Sequence, residues 1–234
     1  MLSATEKSAF LAGIRDGWPF VFVAAPFSML FGVVAIEGGL TLAQAMGFSV
    51  VVIAGAAQFA AVQLMLDGAS ITLILLAALA VNLRMAMYSA ALVPYLGKAA
   101  LWQRALVAYV NFDQSYIASV ARYDQRPMTI GERFWFFLGV SSPIAPTWFA
   151  FTAVGALVGS SIPTEYALDF ALPITFLAMI GPMLRTAAHV AAAFVSMCVG
   201  LALFGLPSGS GLLIAAAFAM VTGVIVEHWQ EKLA

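Results

Sequence analysis

Apolar side chains run along this chain without the polar gaps that water-facing helices and strands require, and they gather into runs of helical length. Seven such segments can be drawn, at 18–36, 41–66, 70–96, 104–121, 134–159, 167–205 and 208–226. The block 167–205 exceeds one membrane span of about 20 residues. It splits near Gly181-Pro182 into 167–181 and 186–205, giving seven or eight pieces, one of them short, broken or re-entrant. The ten-residue alternation of a transmembrane barrel does not occur in the pattern. The expectation is therefore an all-α, polytopic membrane helix bundle, one membrane domain over 1–234, with about seven transmembrane helices between 18 and 226.

Local signals refine this picture. Ser3 and Glu6 have the capping-box spacing, and Phe10, Leu11 and Ile14 fall on one face, which predicts an interfacial helix over 4–16 ahead of the first span. Pro26 in the first segment and Pro143 and Pro146 in the fifth sit early in each half of the chain. Prolines so placed fit broken helices in two inverted repeats.

Composition agrees: 63% of the 234 residues are apolar and 9% charged, against about 25% charged in an ordinary soluble domain. No soluble core of this size buries so much apolar surface. A net charge of −1 without a basic run excludes nucleic acid as a partner. The apolar run after residue 17 is too long for a cleavable signal. Cys198 lies within an apolar run and reads as a buried small hydrophobe. With 167–205 counted as one crossing, Lys7, Arg15, Arg122, Arg126 and Arg133 fall on one side. Lys98, Arg104 and Lys232 fall on the other, so the N-terminus is expected in the cytoplasm.

Polar side chains at membrane depth are costly, so the few present carry the information. Asp113 stands within Asn111-Phe112-Asp113-Gln114-Ser115-Tyr116, and Arg84, close after Asn82, is its expected mate. That pair reads either as a structural ion pair or as part of a substrate or proton pathway. Gln58 follows Gly55 and two alanines, so its amide can face a cavity or bond across helices. Arg185 and His189 read as interfacial, and Trp18, Trp102, Trp135 and Trp148 as belt anchors.

Catalytic patterns fail. Gly97-Lys98 is followed by alanine, so there is no phosphate loop. There is no H-E-x-x-H, and His189 and His228 stand too far apart to suggest a metal site. Ser208-Gly209-Ser210-Gly211 lacks the nucleophile elbow. Neither an enzyme, a metal nor a cofactor is expected.

The chain resembles the AzlC family, the large subunit of branched-chain amino-acid exporters, over most of its length. The likeness is densest at Phe31-Gly32, at Gly55-Ala56-Ala57-Gln58-Phe59, and at Asn82-Leu83-Arg84 followed by Tyr88-Ser89. Leu168-Asp169-Phe170-Ala171 and Phe176 resemble its second half. Where the family usually carries a T-D-E-like triplet, this chain reads Phe112-Asp113-Gln114, which puts the second acid's share of coupling in doubt. The resemblance implies export of leucine, isoleucine, valine or methionine across a bacterial plasma membrane, with a small hydrophobic partner subunit of the AzlD type.

A zwitterion needs partners for both charges and an apolar pocket. Arg84 or a broken-helix N-terminus suits the carboxylate, and Asp113 with Gln58, Asn82 and Asn111 forms the polar part of the pathway. Gly55, Phe59 and Phe112 shape the apolar end. The leading function is a proton-coupled secondary exporter. A passive channel or facilitator for a small solute and a non-transporting scaffold are the alternatives.

Overall fold

Hydrocarbon offers no water to satisfy amides, so apolar runs close their hydrogen bonds internally, as helices. The computed structural model describes residues 3–159, 184, 186–206 and 210–233. These hold α1 Ala4–Gly17, a 3-10 turn Trp18–Phe20, α2 Val21–Glu37, α3 Leu42–Val52, α4 Ala56–Leu66 and α5 Ile71–Ala91. They continue with α6 Val93–Leu96, α7 Leu101–Tyr109, α8 Asp113–Gln125, α9 Ile130–Gly159, α10 Ala187–Ala202 and α11 Ser210–Leu233, with no strand among the described residues. The runs Ala4–Glu37, Ile71–Ala91, Ile130–Gly159 and Leu213–Gln230 are long and apolar enough to cross a membrane, and three shorter apolar helices accompany them. The protein is a helical membrane bundle. It divides into two compact units, Met1–Phe59 with Ala78–Ile162, and Ala60–Ala77 with Pro163–Ala234.

The first unit is built along α9. The capping box forms as the spacing predicts, with Ser3 N donating to Glu6 Oε2 at 2.8 Å and Glu6 N to Ser3 Oγ at 3.2 Å. Helix α1 then runs through the 3-10 turn into α2, and both lie parallel to α9. Glycines set the approach. A methyl on Gly13 would meet the Gly139 Cα at 2.9 Å, and one on Gly155 would strike the Met29 backbone. Backbone contact of this kind replaces the hydrophobic drive that lipid removes.

The prolines do not interrupt their helices. Pro26 lies inside α2, and Pro143 and Pro146 inside α9. Pro143 cannot bond the Gly139 carbonyl, and Ser142 Oγ donates to that carbonyl instead at 2.8 Å.

The chain breaks elsewhere. Segment 41–66 ends its first helix at Ile53, held left-handed at φ 41°, with Gly55 at φ 39°. A β-branched residue in that region is strained by about 1–3 kcal/mol. The chain then reverses. Phe48 meets Phe31 on the way in, with ring centroids 6.0 Å apart, and Phe59 returns to Phe31 at 5.5 Å. The first turn of α4, Ala56–Phe59, therefore runs back beside α3.

Segment 104–121, drawn from hydropathy as a crossing, is also a hairpin. Before α7, the Tyr95 carbonyl accepts from Arg133 Nη1 at 3.2 Å, and within it Trp102 packs on Phe134 at 5.3 Å. At the end of α8, Tyr123 Oη donates to the Arg133 carbonyl at 2.7 Å. Both ends of α7–α8 thus meet the start of α9, while the break at 110–112 reaches Ser141, whose Oγ donates to the Val110 carbonyl at 3.2 Å. Helices of 9 and 13 residues extend only about 13 and 20 Å, short of a bilayer.

This geometry corrects the charge map. Lys98 and Arg104 enter beside Arg126 and Arg133, at the start of α9, rather than opposite them, while Arg122 reaches the last turn of α1. Arg122 Nη2 stands 4.0 Å from Asp16 Oδ2 and its guanidinium lies over Phe136 at 5.4 Å. Asp124 accepts from the Tyr95 hydroxyl at 2.6 Å, which raises that hydroxyl's pKa above the ordinary phenol value.

In the second unit, α10 and α11 pair antiparallel through small residues, with Gly223 beside Ala192 and Gly200 beside Ala215. Cys198 is exposed on α10, contrary to the buried reading, because the outside of a membrane helix accepts a small apolar side chain as readily as its core. The split near Gly181-Pro182, the stretch Leu168–Phe176, Arg185 and Ser208 lie outside the described residues.

Candidate functional site

Ser141 and Thr152 of α9 are eleven residues apart, about three turns, so they share a face roughly 16 Å apart. Each serves one hairpin. Ser141 holds the α7–α8 tip, and Thr152 Oγ1 lies 3.1 Å from Ser49 Oγ in α3. The hairpins enter from opposite ends of α9 and meet where Tyr109 Oη donates to the Val50 carbonyl at 2.7 Å. Opposed half-helices of this kind bring helix termini, with their partial charges, to one level inside the apolar region.

The α3–α4 tip is a closed knot. Gln58 is fully buried. Its Oε1 accepts from Ala54 N and Gly55 N, each at 3.2 Å, and its Nε2 donates to Ser49 Oγ at 3.2 Å. Phe59 is equally buried against Phe27, ring centroids 4.8 Å apart. A methyl added to Gly55 would press on Phe27 and Trp148 at 3.1 and 3.3 Å. Gln58, Gly55 and Phe59 therefore build and shape this tip. Their predicted polar neighbours on α5 and α8 belong to the other one.

The α7–α8 tip carries the charges. Asp113 is the first residue of α8, where the helix N-terminus favours a carboxylate. Its Oδ2 accepts from Arg84 Nη1 at 2.8 Å, and the two side chains are 31% and 28% exposed. Arg84 reaches across from α5, which a second contact ties to α8, the stacked rings of Tyr88 and Tyr116 at 4.2 Å. Asn111, 4% exposed, donates from Nδ2 to Ser89 Oγ at 3.4 Å. Phe112 is buried, and its N–H is capped by Ser115 Oγ at 2.8 Å. Asn82 lies two turns before Ser89 on the same face of α5.

Several buried polar atoms here have no hydrogen-bond partner: Asn82 Oδ1, Asn111 Oδ1, Asp113 Oδ1 and Arg84 Nε. Three orphan acceptors and one orphan donor around an ion pair suit a ligand that brings both a cationic and an anionic group. The pair itself is net neutral and so does not favour a ligand of either net charge.

Sequence reasoning missed Tyr109, Ser141 and Thr152, gave Ser89 only as part of the family likeness, and set Trp148 in the belt. The two α9 hydroxyls were detectable as polar residues on one face of an apolar helix. Trp148 gave no signal, since it reads as a belt residue. It is 8% exposed inside α9, stacked edge-on against Phe27, and its Nε1 is also unpartnered.

The whole chain is similar to known membrane proteins. The chain is 26% identical to inner membrane protein YgaZ of Escherichia coli strain K12, over 97% of this chain and 94% of that protein. It is 29% identical to a protein of Archaeoglobus fulgidus described as an uncharacterized membrane protein, over 99% and 100%. No solved structure matches. The family model described as AzlC protein matches residues 19–162, which contain both hairpins and the Arg84–Asp113 pair. With more than half its length matched, the chain belongs to the AzlC family.

Proposed function

We propose that this protein is a secondary exporter of branched-chain and other small apolar amino acids, leucine, isoleucine, valine and methionine, driven by the proton gradient. The observation that carries the reading is the ion pair of Arg84 and Asp113, set at a helix break inside an apolar bundle and ringed by orphan polar atoms. A zwitterion matches it group for group. The substrate carboxylate exchanges for Asp113 at Arg84, and its ammonium meets Asp113 Oδ1 with the Asn82 and Asn111 carbonyls. A proton on Asp113 takes away the carboxylate that the substrate ammonium needs, so proton and ammonium compete for Asp113 beside Arg84, which is a coupling device.

Net neutrality disfavours lysine or glutamate side chains, whose extra charge would remain unpaired. The protein works in the bacterial inner membrane with a small AzlD-type subunit. The basic residues near the start of α9 support a cytoplasmic N-terminus by the positive-inside rule. Transport rather than catalysis is what this site supports.

The test is efflux of preloaded leucine and methionine from cells expressing the chain, with and without the small subunit, at two proton gradients. Gradient-dependent efflux of both is the expected result. Efflux that only dissipates an imposed leucine gradient, with no uphill movement, would instead make the protein a facilitator.

A further inference from the structure

A cleft of about 290 Å³ opens between α5, α6 and α7, away from the ion pair itself. Its walls are Leu92, Val93, Leu96, Val107 and Ala108, and its polar groups are Ser89 and Arg104. Pro94 and Gly97 shape the short helix α6 that forms one wall. Arg104 and Ala108 are one turn apart on α7 and so share a face. Arg104 lies nearer the α1 end of the unit, where α7 begins. Ser89 accepts from Asn111 Nδ2, so it adjoins the tip that carries Asp113. Asn111 is buried, and its Oδ1 has no partner.

We infer that this cleft is a loading vestibule, a second binding position at which an amino acid with an apolar side chain pauses before reaching Arg84 and Asp113. The inference rests on the exporter reading above. The occupant follows from the lining. One guanidinium suits one carboxylate. Five aliphatic walls suit a branched side chain, and the volume sits at the lower edge of small-molecule sites, of about 300 Å³ and above. Ser89 lines the cleft and accepts from Asn111 at the tip that carries Asp113, so the cleft adjoins the ion-pair site and the substrate passes from Arg104 to Arg84. A lipid tail or the small subunit in the cleft would leave a cysteine there unprotected by leucine.

The experiment introduces Ala108→Cys into a chain carrying Cys198→Ser, co-expressed with the small subunit. A membrane-impermeant thiol reagent is applied from either side, with and without leucine, while leucine export by the same cells is measured. The vestibule predicts labelling from the α1 side. It predicts slowing by about fivefold at leucine four times its apparent affinity, by simple occupancy, and no protection by glutamate. Arg104→Gln raises the leucine KM roughly tenfold with kcat kept, the size of one lost charge-assisted bond, and Arg104→Lys restores most of it. If the cells export leucine but the cysteine is unlabelled, or labelled without protection, the vestibule is wrong and the exporter reading stands. If the unmutated chain with its subunit exports no apolar amino acid, the exporter reading fails, and the vestibule with it.

Discussion

Gln58 separates a structural strut from a substrate contact, and its environment allows the cost of removing it to be worked out. The side chain is fully buried and makes three bonds, two received from the backbone N–H groups of Ala54 and Gly55 and one given to Ser49. Gln58→Leu preserves the volume and removes all three. Ser49 keeps Thr152 as a partner, so its loss is small. The two backbone donors are left buried without acceptors, each costing about 1–3 kcal/mol, toward the lower end because the bonds are long. The sum is about 2–4 kcal/mol. For a chain of this size that lowers Tm by roughly 5–15 °C. The assay is thermal unfolding of purified protein in detergent, followed by tryptophan fluorescence. Asn82→Leu is the control, because Asn82 Oδ1 has no partner to lose; it leaves Tm within about 2 °C while abolishing export. A Gln58→Leu protein with unchanged Tm and no export would refute the strut and return Gln58 to the substrate pathway.

Three further outcomes follow from the packing. Gly155→Val drives a side chain into the Met29 backbone and costs more than about 3 kcal/mol, so no monodisperse protein is recovered; Gly47→Ala, with open space around it, is recovered at wild-type yield. Tyr109→Phe removes the bond between the hairpin tips; stability falls by only about 0.6 kcal/mol, whereas leak of leucine down its own gradient rises in vesicles, and an unchanged leak would show that this bond does not hold the tips. Cysteines replacing Lys7 and Lys98 one at a time are modified by an impermeant reagent from the same side of the membrane, and opposite sidedness would break the α7–α8 hairpin.

Much of this was legible in the residues because hydrocarbon punishes exceptions. Asp113 and Arg84 had to find partners inside an apolar region, and each was the other's nearest candidate. The capping box at Ser3 and Glu6 is a local code and formed locally. Direction was not legible. Two half-helices that reverse carry the same hydropathy as one that crosses, so 41–66 and 104–121 looked like ordinary spans. The strained turn at Ile53 has no sequence signature, since isoleucine is disfavoured in that conformation. Prolines suggested breaks at Pro143 and Pro146, but the helix runs through both, and at Pro143 the Ser142 hydroxyl takes up the lost bond. Once the α7–α8 reversal was missed, Lys98 and Arg104 fell on the wrong side. For Gln58 the sequence left a cavity and a bond across helices both open, because nothing in it shows that two backbone N–H groups of its own tip and the Ser49 hydroxyl take up the amide.

The central claim is that Asp113 couples proton and amino-acid movement beside Arg84, and it is tested most directly with Asp113→Asn. The measurement is leucine uptake into inverted membrane vesicles containing the chain and its small subunit, with and without an imposed proton gradient. The account predicts that the wild type accumulates leucine only with the gradient. The variant should keep leucine–leucine exchange but lose all accumulation. A variant that still accumulates leucine in response to the gradient would contradict it.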